Sequence, residues 1–127
     1  MITLVPLDDI FLIYQFHKNG PIPPAILASD FYSITQTEDE LSVLTNCKDE
    51  FDCLNISKTW KGFKVKGVLD FSLVGIIHDI TKPLKDDDIS VFVVSTYNTD
   101  YLFVKEEVFE KTIEVLSGID YIHMESI

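Results

Sequence analysis

The 127-residue chain contains no arginine. Its ten basic residues are all lysine, set against twenty-one acidic ones, for a net charge of −11. A chain this poor in positive charge repels polyanions, so a nucleic-acid partner is not expected. The missing guanidinium also excludes sites built on its bidentate fork for phosphate or carboxylate. Long apolar runs are missing too. The longest, such as Val91 to Val94, are strand-sized, far below the roughly 18 residues of a membrane span. Met1 to Leu7 has no basic start and no extended apolar stretch before Asp8 and Asp9, unlike a secretory leader. Cysteine is confined to Cys47 and Cys53. A chain of this length buries roughly two-thirds of its unfolded surface without any cross-link. The expectation is a cytoplasmic protein with reduced thiols and no membrane partner, its acidic surplus serving solubility.

Sites of chemistry are equally scarce. His17, His78 and His123 lie far apart, and no pair has the spacing of a zinc site, so no metal is expected. Ser72 and Ser95 have no strand–turn–helix elbow around them, and neither thiol has a histidine nearby in sequence. His78 and Asp79 are adjacent on an expected helix, so their side chains diverge by about 100° and form no dyad. Gly62, Gly67 and Gly75 lack the Lys-Ser/Thr companion of a phosphate loop. The chain reads as neither an enzyme nor a holder of cofactors.

What is present is a 46% hydrophobic composition with nine Phe, five Tyr and one Trp, ample for a core. Residues 2–7 and 10–16 read as strands parted by Asp8-Asp9. The run Asn19-Gly20-Pro21-Ile22-Pro23-Pro24 excludes regular helix or inner strand, leaving room for a short helical turn at 24–28. Phe31–Thr37 and Glu40–Thr45 read as a hairpin, 46–58 as a polar connector, and 60–70 as extended with Gly62 and Gly67 at bulges. Leu73, Ile76, Ile77, Ile80 and Leu84 share one face of a helix over 72–86 that Pro83 should weaken. Ile89–Thr96 reads as a buried central strand, turned at Tyr97-Asn98-Thr99 to pair with Asp100–Val104. Val108, Phe109, Thr112, Ile113 and Leu116 mark a helix over 106–117, closed by Gly118. Ile119–Met124 is the last strand. Residues 60–125 thus follow the strand–helix–strand–strand–helix–strand order of the ferredoxin-like plait.

At an offset of 61 the chain resembles itself: Phe31 meets Phe92, Thr35 meets Thr96, Asp39 meets Asp100, Leu41 meets Leu102 and Val43 meets Val104. That points to a worn duplication whose first copy keeps the hairpin and loses its helices. Two segments carry binding chemistry. Asp70-Phe71-Ser72-Leu73-Val74-Gly75 runs from a strand end into a helix start, where free N–H groups and the helix dipole suit a carboxylate. The bland alternative is Ser72 as N-cap and Gly75 as a packing glycine. Ser95-Thr96-Tyr97-Asn98-Thr99-Asp100-Tyr101 is a polar hairpin whose hydroxyls and Asp100 suit an ammonium; the bland alternative is a self-satisfied turn.

Together the strings G-x-L-D-F-S-L-x-G (Gly67–Gly75) and S-T-Y-x-T-D-Y (Ser95–Tyr101) resemble the tandem ACT-domain proteins. Phe31–Ser42, Pro83-Leu84, Ile89-Ser90 and Val104-Lys105 extend the resemblance nearly end to end. The branch is that of short bacterial two-ACT proteins, distantly similar to the cytosolic arginine sensors of animals. The resemblance implies an α+β fold of two βαββαβ plaits in tandem with antiparallel sheets, the first irregular. Its domains would be a degenerate ACT-like domain over 1–60 and an ACT domain over 61–127. It implies a non-catalytic regulatory protein taking an amino acid at an ACT–ACT interface. The contacts carried over are Phe71, Ser72, Leu73, Val74 and Gly75 from the loop, with Ser95, Thr96 and Asp100 from the hairpin. Side-by-side packing of the copies, extended to a homodimer, belongs to the same expectation. Asp86-Asp87-Asp88 departs from the family's small residues and Gly, so Asp88 is expected to take a left-handed backbone. A structural or interaction module that binds no ligand and associates through its sheet edge stays open beside the sensor.

Overall fold

The computed structural model describes residues 1–66 and 75–126. Strands β1 (Ile2–Pro6) and β2 (Phe11–Phe16) come first, then the single turn of α1 (Pro24–Leu27). Strands β3 (Tyr32–Gln36), β4 (Leu41–Thr45) and β5 (Asn55–Val65) follow, then α2 (Ile76–Asp86). The hairpin of β6 (Phe92–Ser95) and β7 (Asp100–Lys105) precedes α3 (Phe109–Ser117) and β8 (Ile122–Met124). This is a mixed α+β fold. The chain divides into two compact units, Asp9–Trp60, and Met1–Asp8 together with Lys61–Ile127.

In the 9–60 unit the strands lie in the order β3-β4-β2-β5, every neighbouring pair antiparallel. Alternation along β2 turns Tyr14 and Phe16 to one face, opposite Val43 and Leu41 of β4. There they form a core with Ile26 of α1. Pro23 and Pro24 fit the start of α1, where a missing N–H costs nothing, but the helix lasts only four residues. The expected connector 46–58 is strand from Asn55 onward. The expected bulge at Gly62 falls instead where Phe11 pairs with Trp60 but Ile13 pairs with Ser57. Thr59, with φ 60°, holds the left-handed conformation there. Gly67 lies outside the described residues.

In the second unit β1 pairs antiparallel with β5, β7 pairs with β5, and β6 pairs with β7. The expected wholly antiparallel sheets are not found. β1 and β8 pair in parallel, with Ile2 beside Ile122 and Leu4 beside Met124. β1 occupies the edge of β5 that the last strand of a plait would use, and β8 pairs on the outer side of β1. Since both run opposite to β5, they must run parallel to one another. Ile2, Leu4, Phe63, Val65, Leu102, Val104 and Ile122 from these strands close a core with Ile80 and Leu84 of α2 and Phe109 and Leu116 of α3.

The expected helix over 72–86 begins at Ile76, with Gly75 as its N-cap at φ 84°; residues 72–74 lie outside the described residues. A positive φ cannot be continued as right-handed helix, so the helix starts after it. The expected buried strand over Ile89–Thr96 is shorter and shallower, with Val93 37% exposed. Among the described residues β6 pairs with β7 alone, so it lacks the cover of a central strand. Asp88 takes φ 57°, the left-handed conformation expected of it.

Pro83 sits inside α2. It has no N–H to give the carbonyl four residues back, at Asp79. The Tyr121 hydroxyl, arriving from just before β8, donates to that carbonyl at 2.9 Å. Tyr121→Phe is expected to cost about 0.5–1.5 kcal/mol in the native background. In a Pro83→Ala background, where residue 83 regains its N–H, the cost should fall close to zero. Urea unfolding of the four chains of this double-mutant cycle checks it; equal costs in both backgrounds would disprove the substitution.

Candidate functional site

Four of the eight residues expected at the site, Phe71, Ser72, Leu73 and Val74, lie outside the described residues. The other four are Gly75, Ser95, Thr96 and Asp100. The hairpin register sets Ser95 directly opposite Asp100, and the Ser95 hydroxyl donates to the Asp100 carboxylate at 2.5 Å. Thr96 is not turned toward that pair. Its hydroxyl donates to the Thr99 carbonyl at 3.0 Å and accepts from the Thr99 N–H at 3.3 Å. Its own N–H also bonds the Thr99 carbonyl. The turn is therefore largely satisfied from within, while a carboxylate that accepts one hydroxyl keeps lone pairs for a further donor.

Thr99, read from the sequence only as part of the polar hairpin turn, has a further role in the structure. It is 4% exposed, and its hydroxyl donates to the Val65 carbonyl at 2.6 Å. This bond ties the hairpin tip to the end of β5, the strand that leads into the segment expected to bind. A threonine in a polar turn carries no sequence signal for such a bond, because its acceptor is set by strand pairing. Tyr97, at the turn, is 82% exposed. Gly75 has open space where a side chain would be, and its φ of 84° is what calls for glycine there.

A shallow hollow of about 410 Å³ beside α2 and α3 is lined by Pro83, Asp86, Val115, Ile119 and Tyr121. None of the expected site residues borders it. Lys82 at its rim pairs with Asp86 at 2.9 Å. That hydrogen bond, with the attraction between the two charges, raises the lysine's pKa and lowers the carboxylate's. It also offsets part of the repulsion between three acids and the negative end of α2. Among the described residues no group of three His, Cys, Asp or Glu side chains could hold a metal ion. No described helix is long and apolar enough to cross a membrane.

Tyr14, in the 9–60 unit, has a pKa raised above its ordinary 10.0 by burial, with smaller contributions from Cys53, Cys47, Glu50 and Asp49. Deprotonation is easier in the unfolded chain, so the stabilising difference is whole below about pH 10 and is lost as pH rises through the higher folded value. Urea midpoints between pH 9 and 11 should fall more steeply for the wild type than for Tyr14→Phe. Parallel slopes would show that Tyr14 titrates as it does in the unfolded chain.

A family model described as ACT domain matches residues 55–118, and a model for an N-terminal domain matches residues 9–51. The human cytosolic arginine sensor for mTORC1 subunit 1 is 31% identical over 122 residues, covering 87% of this chain and 36% of its own length. The chain thus spans about a third of the curated relatives it matches. A solved protein of Agrobacterium tumefaciens is 30% identical with a TM-score of 0.87, over 99% of this chain and 95% of that one. Aspartokinase alpha and beta subunits share the fold at 13% identity and a TM-score of 0.62, over 91% of this chain and 95% of that one.

Proposed function

Because the chain belongs to the ACT-domain family, we propose that it is a non-catalytic regulatory protein that binds an amino acid at an interface between ACT-like plaits. In this reading residues 61–127 are the ACT domain and 1–60 a degenerate ACT-like domain whose β1 joins the sheet of the other. The β3-β4-β2-β5 order supports the degenerate plait: a split βαβ pair with its hairpin strand inserted between, and a fourth strand beside the first. The similarity to an arginine sensor supports an amino-acid ligand.

The observation that carries the site is the Ser95–Asp100 pair, a half-buried carboxylate holding one hydroxyl in a family-matched hairpin. In the proposed mode the ligand's carboxylate meets the N–H groups of Leu73, Val74 and Gly75, flanked by Phe71 and Ser72. Its ammonium or side chain faces Asp100, beside Ser95 and Thr96. An acidic side chain would meet Asp100 unpaired, so the preference is for a basic or neutral amino acid. The alternative, an interaction module without a small ligand, is favoured by the hydroxyls of Ser95 and Thr96 bonding inside the hairpin.

Melting temperatures across the twenty amino acids separate the two, since only a ligand-binding chain is stabilised. Calorimetry on Asp100→Asn then tests the site. Losing a charge-assisted bond should cost about 1.5–3 kcal/mol, roughly ten- to a hundredfold in Kd. An unchanged Kd would leave Asp100 as a hairpin residue only. Gly75→Leu should also weaken binding, but its φ of 84° strains any side chain, so Asp100→Asn is the cleaner variant.

A further inference from the structure

In the 9–60 unit β4 and β5 lie on either side of β2. Residues 46–54 carry the chain from one to the other as a strap with no regular element. Both ends of the strap are tied down. The Cys47 N–H donates to the Thr45 hydroxyl at 3.0 Å, and the Leu54 N–H donates to the Gln15 carbonyl at 2.9 Å. Between these ties Lys48, Asp49, Glu50 and Asp52 are exposed. Cys47, Phe51 and Cys53 turn inward and pack on the core of the unit. These two cysteines are the chain's full complement, and both are free thiols.

Four positions of this short stretch converge on one side chain, Tyr14. The Asp49 carbonyl accepts its hydroxyl at 3.2 Å, and Phe51 meets its ring edge-on at 5.8 Å. Cys47 and Cys53 pack on the cluster that holds Tyr14. Both thiols act on its hydroxyl more strongly than the carboxylates of Glu50 and Asp49 do. Stretched out, six residue steps would part the cysteines by about 20 Å. A strap curled round one ring cannot hold them that far apart. Its backbone also gives way more readily than a strand or helix, because no ladder of hydrogen bonds holds it. Cys53 borders a hollow of about 310 Å³ between strap and sheet, whereas Cys47 does not, so a reagent meets Cys53 first.

We propose that Cys47 and Cys53 form a redox switch, a dithiol that a low-molecular-weight disulfide such as glutathione disulfide converts to an internal disulfide. The Cys53 thiolate attacks one sulfur of glutathione disulfide, whose S–S bond breaks and releases one glutathione. The Cys47 thiolate then attacks the Cys53 sulfur of the mixed disulfide and expels the second glutathione. Two protein thiols thus lose two electrons and two protons, and one glutathione disulfide is reduced to two glutathione. The bridge closes the ring 47–53 over Tyr14 and fixes the strap. None of this rests on the amino-acid site proposed above.

The test is equilibration of the wild-type chain with glutathione and glutathione disulfide at mildly alkaline pH, where thiolates form. It is run in native buffer and in concentrated urea. After residual thiols are blocked, trypsin separates the cysteines, since Lys48 lies between them. Mass spectrometry then reads the bridge as peptide 19–48 joined to peptide 49–58, and the competing product as glutathione on each. The ratio of bridged to doubly glutathionylated chain should be at least about tenfold higher in native buffer than in urea, because the fold holds the thiols together. Cys47→Ser should take glutathione at Cys53 faster than Cys53→Ser takes it at Cys47. Amide exchange in peptide 49–58 should slow at least about threefold on bridging. A native ratio no higher than that in urea, a bridge between two chains in place of the internal one, faster reaction at Cys47, or unchanged exchange would each overturn the proposal.

Discussion

Phe63→Ala is expected to lower stability by about 3–5 kcal/mol, read as a shift of the urea midpoint at constant slope. Phe63 is 1% exposed and belongs to the core of the second unit. Its ring stacks on Phe109 at 5.0 Å, and the Lys61 ammonium lies 4.6 Å from the Phe109 ring centroid on that ring's account. Truncation therefore removes transfer free energy, an aromatic pair and the packing that seats α3 against β5. The strand cannot move inward to close the gap, because Val65 pairs with Leu4 and Phe63 with Pro6 across the same ladder. Phe63→Leu, which keeps most of the volume, should cost markedly less. Equal losses for Leu and Ala would contradict a cavity origin.

Gly62→Ala is the second large effect, expected at about 1–3 kcal/mol. Strand alternation turns residue 62 to the face opposite Phe63. On that side a Cβ would stand 2.7 Å from two ring carbons of Phe103 and 3.2 Å from a Leu7 methyl. Phe103 is wholly buried, so its ring has no free space to retreat into. The glycine is there so that a ring can lie across the strand, and its φ is not the reason. In a Phe103→Leu background the penalty should shrink by at least half, a coupling that thermal unfolding of the four chains measures. Additive losses would place the cost of Gly62→Ala in the strand backbone itself.

The second half of the chain was the more legible. α3 lies where Phe109, Thr112 and Leu116 recur on one face, and these are its buried residues. Both hairpins were also readable, because alternation and polar turns are local signals. The self-similarity read at an offset of 61 is not the offset at which the two hairpin turns match. The Thr37 N–H donates to the Glu40 carbonyl as the Thr96 N–H donates to the Thr99 carbonyl, an offset of 59 (96 − 37). A slip of two keeps every strand residue on its own face, so the apolar matches survived it. Of the expected site, Ser95 and Asp100 are brought together, and Thr96 turns to Thr99 instead.

The sequence by itself determined most elements of the second unit and the poverty of helix in the first sixty residues, and it carried the resemblance to the family. The elements follow from periodicity within a few turns of chain, and the family from the strings Gly67–Gly75 and Ser95–Tyr101. Tertiary structure alone decided that β1 sits between β5 and β8, that Tyr121 answers the carbonyl Pro83 leaves bare, and that Thr99 anchors the hairpin to Val65. It also decided that the strap over β2 and β5 leaves a hollow. These depend on which hydrogen-bonding edge or buried face is still unfilled when distant segments meet. No residue carries that information in its own neighbourhood of the sequence.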